Sequence, residues 1–216
     1  MNITVKLTSD FICPWCLIGE RRLQKVIRRL PDDVEVTILW QPYELNPTMP
    51  VEGVDRKNYR SAKFGSWEYS QSLDRKTILA AAEDDIAFNY DAMQKTPNTF
   101  RAHRLMNLAH RHGAADAVAN GIFHGYFEQG RDIGDVDVLA DIAGENGLNR
   151  AEALAYLSGD AGVKETRAAI SFATGIRGVP NFDIEGETIS GAQPLNLIED
   201  AIMRAIARKS QEKPAL

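Results

Sequence analysis

Cys13-Pro14-Trp15-Cys16 stands between a strand-like run, Ile3-Thr4-Val5-Lys6-Leu7, and a helix-like run from Leu17 to Leu30. These are the only two cysteines among 216 residues, and two positions separate them. A thiol at the start of a helix sits beside free backbone N–H groups and the positive end of the helix dipole, and both favour thiolate. The thiolate is the reactive form. A second thiol one helical turn on can attack a mixed disulfide formed by the first. Spacing and context together read as a dithiol–disulfide redox site, with Cys13 as nucleophile and Cys16 as resolving thiol.

Two other readings compete. A CxxC pair is half of a structural zinc site, but tetrahedral zinc needs four ligands. There is no third cysteine, and His103, His110, His112 and His124 lie in one distant stretch, so no metal is expected. Inert helix-start cysteines are the other alternative. Pro14 argues against that reading, because proline pre-forms the first turn and has no N–H to leave unpaired.

A chain of 216 residues, 44% hydrophobic, can bury a core as one large domain or as a domain with an insertion. The net charge of −5, with no basic block, gives no support to nucleic-acid binding. Met1-Asn2-Ile3-Thr4 enters a strand directly, without the features of a secretory signal, and no apolar run has the length of a membrane span. A soluble, cytoplasmic protein is expected. In that compartment a thiol pair is catalytic more often than it is a permanent cross-link.

Val34 to Trp40 is a second β-rich run, and the helix between the two runs carries Leu23, Val26, Ile27 and Leu30 at helical spacing. This βαβ opening implies parallel strands. From residue 56 to 174 the signal is helical, with candidate helices over 68–87, 98–112, 115–129, 135–146, 149–157 and 161–174. Glu83-Asp84-Asp85 reads as a solvated helix face. Strand signals return at Asn181–Ile184 and Thr188–Ser190 around the turn Glu185-Gly186-Glu187, before a helix over 194–207 and a fraying polar tail from Arg208 to Leu216. The layout predicts an α/β protein, a thioredoxin-like fold (1–55 and 175–216) with an inserted all-helical domain (56–174).

Gly178-Val179-Pro180 precedes the late hairpin, where a strand-start proline loses no ladder bond. The tripeptide alone leaves cis and trans open. A cis bond would hold the Val179 backbone where an extended substrate chain can pair with it.

These landmarks resemble the DsbA-like branch of the thioredoxin superfamily, and more closely FrnE-type proteins. The resemblance rests on Ser9 to Gly19, Gln41 to Pro47, Pro97-Asn98-Thr99 with Ala102 to Leu105, Gly178-Val179-Pro180 and Ile189 to Gln193. It implies thiol–disulfide oxidoreductase activity, a helical domain over the active site and a cis Pro180. Pro14 and Trp15 would shape the loop, and Val179 and Pro180 would line the groove. Some relatives carry a further C-terminal cysteine pair, which this chain lacks, so any relay would be intermolecular.

The superfamily also holds glutathione-dependent 2-hydroxychromene-2-carboxylate isomerases and kappa-class glutathione transferases, in which a serine typically replaces the first cysteine. By that likeness His103 and Asn98 are candidate substrate-binding residues, and Ser190 to Gln193 a candidate peptide contact. Read from the residues, His103 is equally a structural histidine, Asn98 and Thr99 fit a helix N-cap, and Ser190 to Gln193 forms a turn. Trp40, Trp67 and the aromatics from Phe123 to Phe127 read as packing. The expected partner is a thiol- or disulfide-containing protein or small molecule. No bound cofactor is required, glutathione is an optional co-substrate, and a homodimer is allowed.

Overall fold

Strand β1 (Asn2–Ser9) alternates along its length, sending Ile3, Val5 and Leu7 into the core with no exposed surface. It pairs in parallel with β2 (Glu35–Pro42) from Asn2↔Glu35 to Ser9↔Pro42. The connection is α1 (Pro14–Ile27), whose helix ends at Ile27, short of the expected Leu30. The computed structural model describes residues 1–173 and 175–212.

Nine residues that the sequence reading left without an element, Arg56–Phe64, form helix α2. They are strongly polar, so no apolar stripe announces them. The Asp55 carboxylate caps the helix by accepting from the Asn58 amide at 2.8 Å, and Gly65 ends it. Val54–Asp55 (β3) pairs with Lys95–Thr96 (β4) in a two-stranded ribbon that the sequence also did not announce.

Helix α3 (Trp67–Ala80) stops well before the expected residue 87. The remaining helices are α4 (Phe100–Arg111), α5 (Ala115–Phe127), α6 (Val136–Glu145), α7 (Arg150–Ser158) and α8 (Val163–Phe172), each near its expected place.

The chain returns to the sheet with β5 (Asn181–Ile184), antiparallel to β1, and β6 (Glu187–Ser190), giving the order β2-β1-β5-β6. Glu185 and Gly186 both take positive φ in the tight turn between them. The last helix, α9 (Leu195–Glu212), packs on α1, β1 and β5 through Ile198, Ala201, Ile202 and Ala205. It continues five residues past the expected end, so Arg208 to Glu212 are helical, and residues 213–216 lie outside the described residues. This is the expected thioredoxin-like fold with an inserted helical block. One apolar core runs through both parts: Phe11 stacks on Trp40 and packs on Phe123, with ring centroids 6.5 and 5.0 Å apart. No helix among the described residues is long and apolar enough to cross a membrane.

The stretch Glu83-Asp84-Asp85 is not a solvated helix face. It is a turn, and Asp84 is buried against Arg22 of α1, Nε to Oδ2, at 2.9 Å. The same guanidinium donates to the carbonyls of Ala80 at 2.8 Å, Ala192 at 2.9 Å and Gln193 at 3.2 Å. One side chain therefore ties α1 both to the end of α3 and to the turn before α9.

Glu20, also on α1, is fully buried, and neither carboxyl oxygen reaches a hydrogen-bond donor. Burial pushes its pKa up to about 7, and the Arg21 charge with the nearby Gln24 and Asn120 amides moderates that only in part.

Replacing Arg22 with alanine leaves Asp84 buried and unpaired, and should lower the unfolding free energy in urea melts by about 3 kcal/mol. Adding Asp84→Asn should recover part of that loss. Glu20 binds more protons folded than unfolded between its ordinary value of 4.5 and about 7. Its contribution to stability is therefore complete below 4.5 and is lost as pH rises through about 7. Glu20→Gln should remove that dependence and be more stable than wild type near about pH 8, by on the order of 3 kcal/mol.

Candidate active site

Cys13 is the N-cap of α1, with extended backbone (φ −93°, ψ 112°), and Pro14 is the first helical residue. Its carbonyl accepts from the Cys16 amide at 3.0 Å, and its own amide donates to the Asp10 carbonyl at 3.0 Å. The chain thus turns out of β1 and into the helix with the Cys13 sulfur on the rim. Cys13 keeps 6% of its surface exposed and Cys16 none, and both are free thiols in this structure. Trp15 stands outside them, 39% exposed. Pro14 is half-buried.

Facing the sulfur is the segment Val179-Pro180, whose peptide bond is cis. Cys13 Sγ lies 3.7 Å from the Val179 carbonyl oxygen, a thiol donating to a backbone acceptor. The Pro180 carbonyl in turn accepts from the Gly191 amide at 2.8 Å, fixing the segment to the end of β6. Gly19 lets α1 approach this closely. A Cβ at that position would lie 3.0 Å from both Pro180 Cγ and Phe182 Cζ. The sequence-predicted Cys13, Pro14, Val179 and Pro180 therefore meet at one place. Ser190 to Gln193 forms the turn after β6, with the Gln193 side chain donating to the Ser190 carbonyl at 2.8 Å.

Burial raises the Cys16 pKa well above that of an ordinary thiol, and contact with the Cys13 thiol raises it further. The Ser9 hydroxyl and the Asp10 backbone, both beside the sulfur, pull the other way. The two thiols are thereby made unlike: one on the rim at a helix N-terminus, one sealed in apolar surroundings.

His103 and Asn98 lie elsewhere. His103 is buried behind the loop, its ring 5.1 Å from that of Phe11. Its Nε2 is 3.0 Å from the Tyr43 carbonyl oxygen and 3.5 Å from Asp10 Oδ1, so two acceptors face one nitrogen and that nitrogen carries the proton. Asp10 is fully buried and accepts from the Leu45 amide at 2.7 Å, which anchors the loop after β2 to the residues before Cys13. Asn98 donates to the Met49 carbonyl at 2.7 Å and accepts from the Phe100 amide at 2.9 Å, so both ends of its amide are engaged within the protein. Trp40, Phe123 and Phe127 are core, as read from the sequence, and Trp67 is half-buried under the Arg56 guanidinium.

A cavity of about 120 Å³ opens beside Cys13. Ile12 to Pro14 form one side of it, and Arg56, Tyr59, Arg60, Lys63 and Phe64 of α2 form much of the opposite wall. These α2 residues escaped the sequence reading. The signal for them was the Asp55 cap and the Gly65 stop around a face repeating at positions 56, 59, 60, 63 and 64. A larger, more open hollow of about 710 Å³ lies over Lys6, Gln41 and Asp183 of the sheet, and neither cysteine lines it. Among the described residues no group of three His, Cys, Asp or Glu side chains converges in a way that could hold a metal ion.

Comparison with known proteins agrees with this geometry. The chain is 29% identical over 206 residues to the uncharacterised protein YwbO of Bacillus subtilis, covering 94% of this chain and 96% of that one. The crystal structure of a probable DsbA oxidoreductase from Streptomyces coelicolor superposes with a TM-score of 0.85 at 29% identity, over 99% of this chain and 92% of the other. A 2-hydroxychromene-2-carboxylate isomerase shares the fold, with a TM-score of 0.75 at 17% identity over 98% of this chain and all of the other. The model of the DSBA-like thioredoxin domain matches from residue 4 to residue 203, and the chain belongs to that family.

Proposed function

We propose that the protein is a thiol–disulfide oxidoreductase of the FrnE type, working in the cytoplasm, with Cys13 as nucleophile and Cys16 as resolving thiol. The observation that carries this reading is the asymmetry of the pair. Cys13 sits on the rim at a helix N-terminus beside the Val179 carbonyl, and Cys16 is sealed one turn below it with its pKa raised. In the reducing direction, the Cys13 thiolate attacks one sulfur of a substrate disulfide and the other leaves as a thiolate that takes a proton from water. Cys16 then gives up its proton and attacks the Cys13 sulfur. The second half of the substrate leaves as a thiol, and Cys13–Cys16 is left as a disulfide. The substrate gains two electrons and the protein loses two. An external thiol or dithiol restores the pair, and glutathione is one candidate.

A glutathione-dependent isomerase or transferase is the alternative that the fold invites. That chemistry has no use for a second thiol, and a Cys16 thiol beside Cys13, one helical turn on, supports the redox reading instead. Val179 stands where the backbone of an extended substrate can pair with it, and Trp15 offers an exposed apolar face beside the sulfur.

Cys13→Ser should lower disulfide-reduction turnover by roughly three or more orders of magnitude. Cys16→Ser should instead trap a stable mixed disulfide on Cys13, visible by mass spectrometry. Isomerase or conjugation activity that survives Cys13→Ser unchanged, in a chain with no disulfide turnover, would overturn the redox assignment. Because Cys16 is a neutral thiol near pH 7, the rate of the resolving step should climb by about tenfold per pH unit between about pH 6 and about pH 8 in stopped-flow measurements.

A further inference from the structure

We propose that the cavity beside Cys13 binds a small disulfide carrying a carboxylate, held by Arg60 and Lys63 of α2. This rests on the redox reading of Cys13 and names the class of substrate that the site selects. Three cationic side chains, Arg56, Arg60 and Lys63, line the cavity, and no acidic side chain does. Behind the wall, Arg56 and Arg60 share the one carboxylate of Asp74, at 2.8 and 2.7 Å. Two guanidinium groups thus divide a single negative charge. The Lys63 ammonium meets only neutral acceptors among the described residues, Asn46 Oδ1 at 3.0 Å and the Tyr59 hydroxyl at 2.8 Å. Tyr59 also donates to Asn46.

The surplus is built in. Arg56 is 3% exposed, stacked over Tyr90 with its guanidinium 5.3 Å from the ring centroid, and a cation buried to that degree ordinarily has a full counter-charge. A carboxylate entering the cavity supplies the missing charge beside the part-buried Arg60, where the attraction exceeds that at an open surface. The rest of the wall is apolar and aromatic, with Phe64, Tyr90, Tyr126 and Phe127 around the space. At about 120 Å³ the cavity falls below the roughly 300–1,000 Å³ of sites for drug-sized molecules, so it accepts one half of a small disulfide and no folded polypeptide loop. The sulfur of that half meets Cys13, and its acid group faces α2.

The test uses the full-length, fully reduced protein in single turnover, with three disulfides of similar size: 3,3′-dithiodipropionate (anionic), bis(2-hydroxyethyl) disulfide (neutral) and cystamine (cationic). Loss of the reduced Cys13 thiol, as mixed disulfide plus Cys13–Cys16 disulfide, is followed by mass spectrometry after acid quench, and each rate is divided by that of the same reagent with free dithiothreitol. The anionic reagent should be favoured over the cationic one by at least about tenfold, a preference worth about 1.4 kcal/mol. Lys63→Gln and Arg60→Gln should each cut that preference by roughly threefold or more, and added salt should shrink it in the wild type. Lys63 is exposed and strands no buried charge when replaced, so its variant remains informative if Arg60→Gln fails to fold. Equal preference in wild type and Lys63→Gln, or faster reaction with cystamine, would overturn the carboxylate site. Failure of all three reagents to oxidise Cys13 in the wild type, whether to a mixed disulfide or to the Cys13–Cys16 disulfide, would overturn the redox reading itself, and the site with it.

Discussion

Helix α1 is enclosed on every side for more than a turn: the five consecutive residues Cys16 to Glu20 are all buried. At 100° per residue that run covers more than a full turn, so sheet, α9 and helical insertion must all close around it. Yet Cys13, just before the helix, keeps 6% of its surface exposed, and Trp15, the second helical residue, keeps 39%. Much of the rest follows from holding a buried helix with one exposed corner. The apolar residues of β1 seat it from below, Gly19 lets Pro180 and Phe182 come within contact, and Arg22 fastens its flank to two loops. The difference between the two thiols is a direct result, because one turn of helix separates a sulfur at the rim of a cavity from one in a sealed interior.

Polar groups placed inside the same region have a distinct cost structure. Asp10 and His103 are both buried, and they hold the loop after β2 and helix α4 against the residues that precede Cys13. Each is hydrogen-bonded to backbone, which offsets the loss of water. Glu20 has no such partner, and it settles as an acid that is easily neutral. The enclosure of α1 therefore shapes the protonation of its own interior as well as its packing.

The outer frame was legible in the sequence because it obeys simple periodicities. Ile3, Val5 and Leu7 alternate, Leu23 and Val26 fall at helical spacing, and a short Glu185-Gly186 turn joins the late strands. The cysteine pair and Val179-Pro180 were legible as landmarks from opposite ends of the chain, and the fold brings them to 3.7 Å. What the sequence concealed was wherever charge replaces hydrophobicity as the organising force. Helix α2 has a polar face toward the cavity and no apolar stripe, so periodicity is silent there. Asp84 reads as solvent-facing in a run of three acids, and only tertiary pairing with Arg22, 62 residues away in sequence, explains its burial. His103 sits on a helix whose apolar face, with Leu105, Met106 and Ala109, admits it into the interior through two acceptors from other segments. Such pairings cross long sequence distances and leave no local trace.

Among the several stretches of chain that line the cavity beside Cys13, two differ in their place in the fold. Residues 12–14 bring the Cys13 sulfur to the cavity, while Arg56, Tyr59, Arg60, Lys63 and Phe64 come from a nine-residue helix outside the βαβ and ββα frame. The exposed Lys63 on that helix can be replaced without touching the helix N-terminus of α1 or the Val179 carbonyl. On the proposed redox reading, the thiol pair belongs to the frame, and the contacts that select what reaches it belong to a separate, short and largely polar segment.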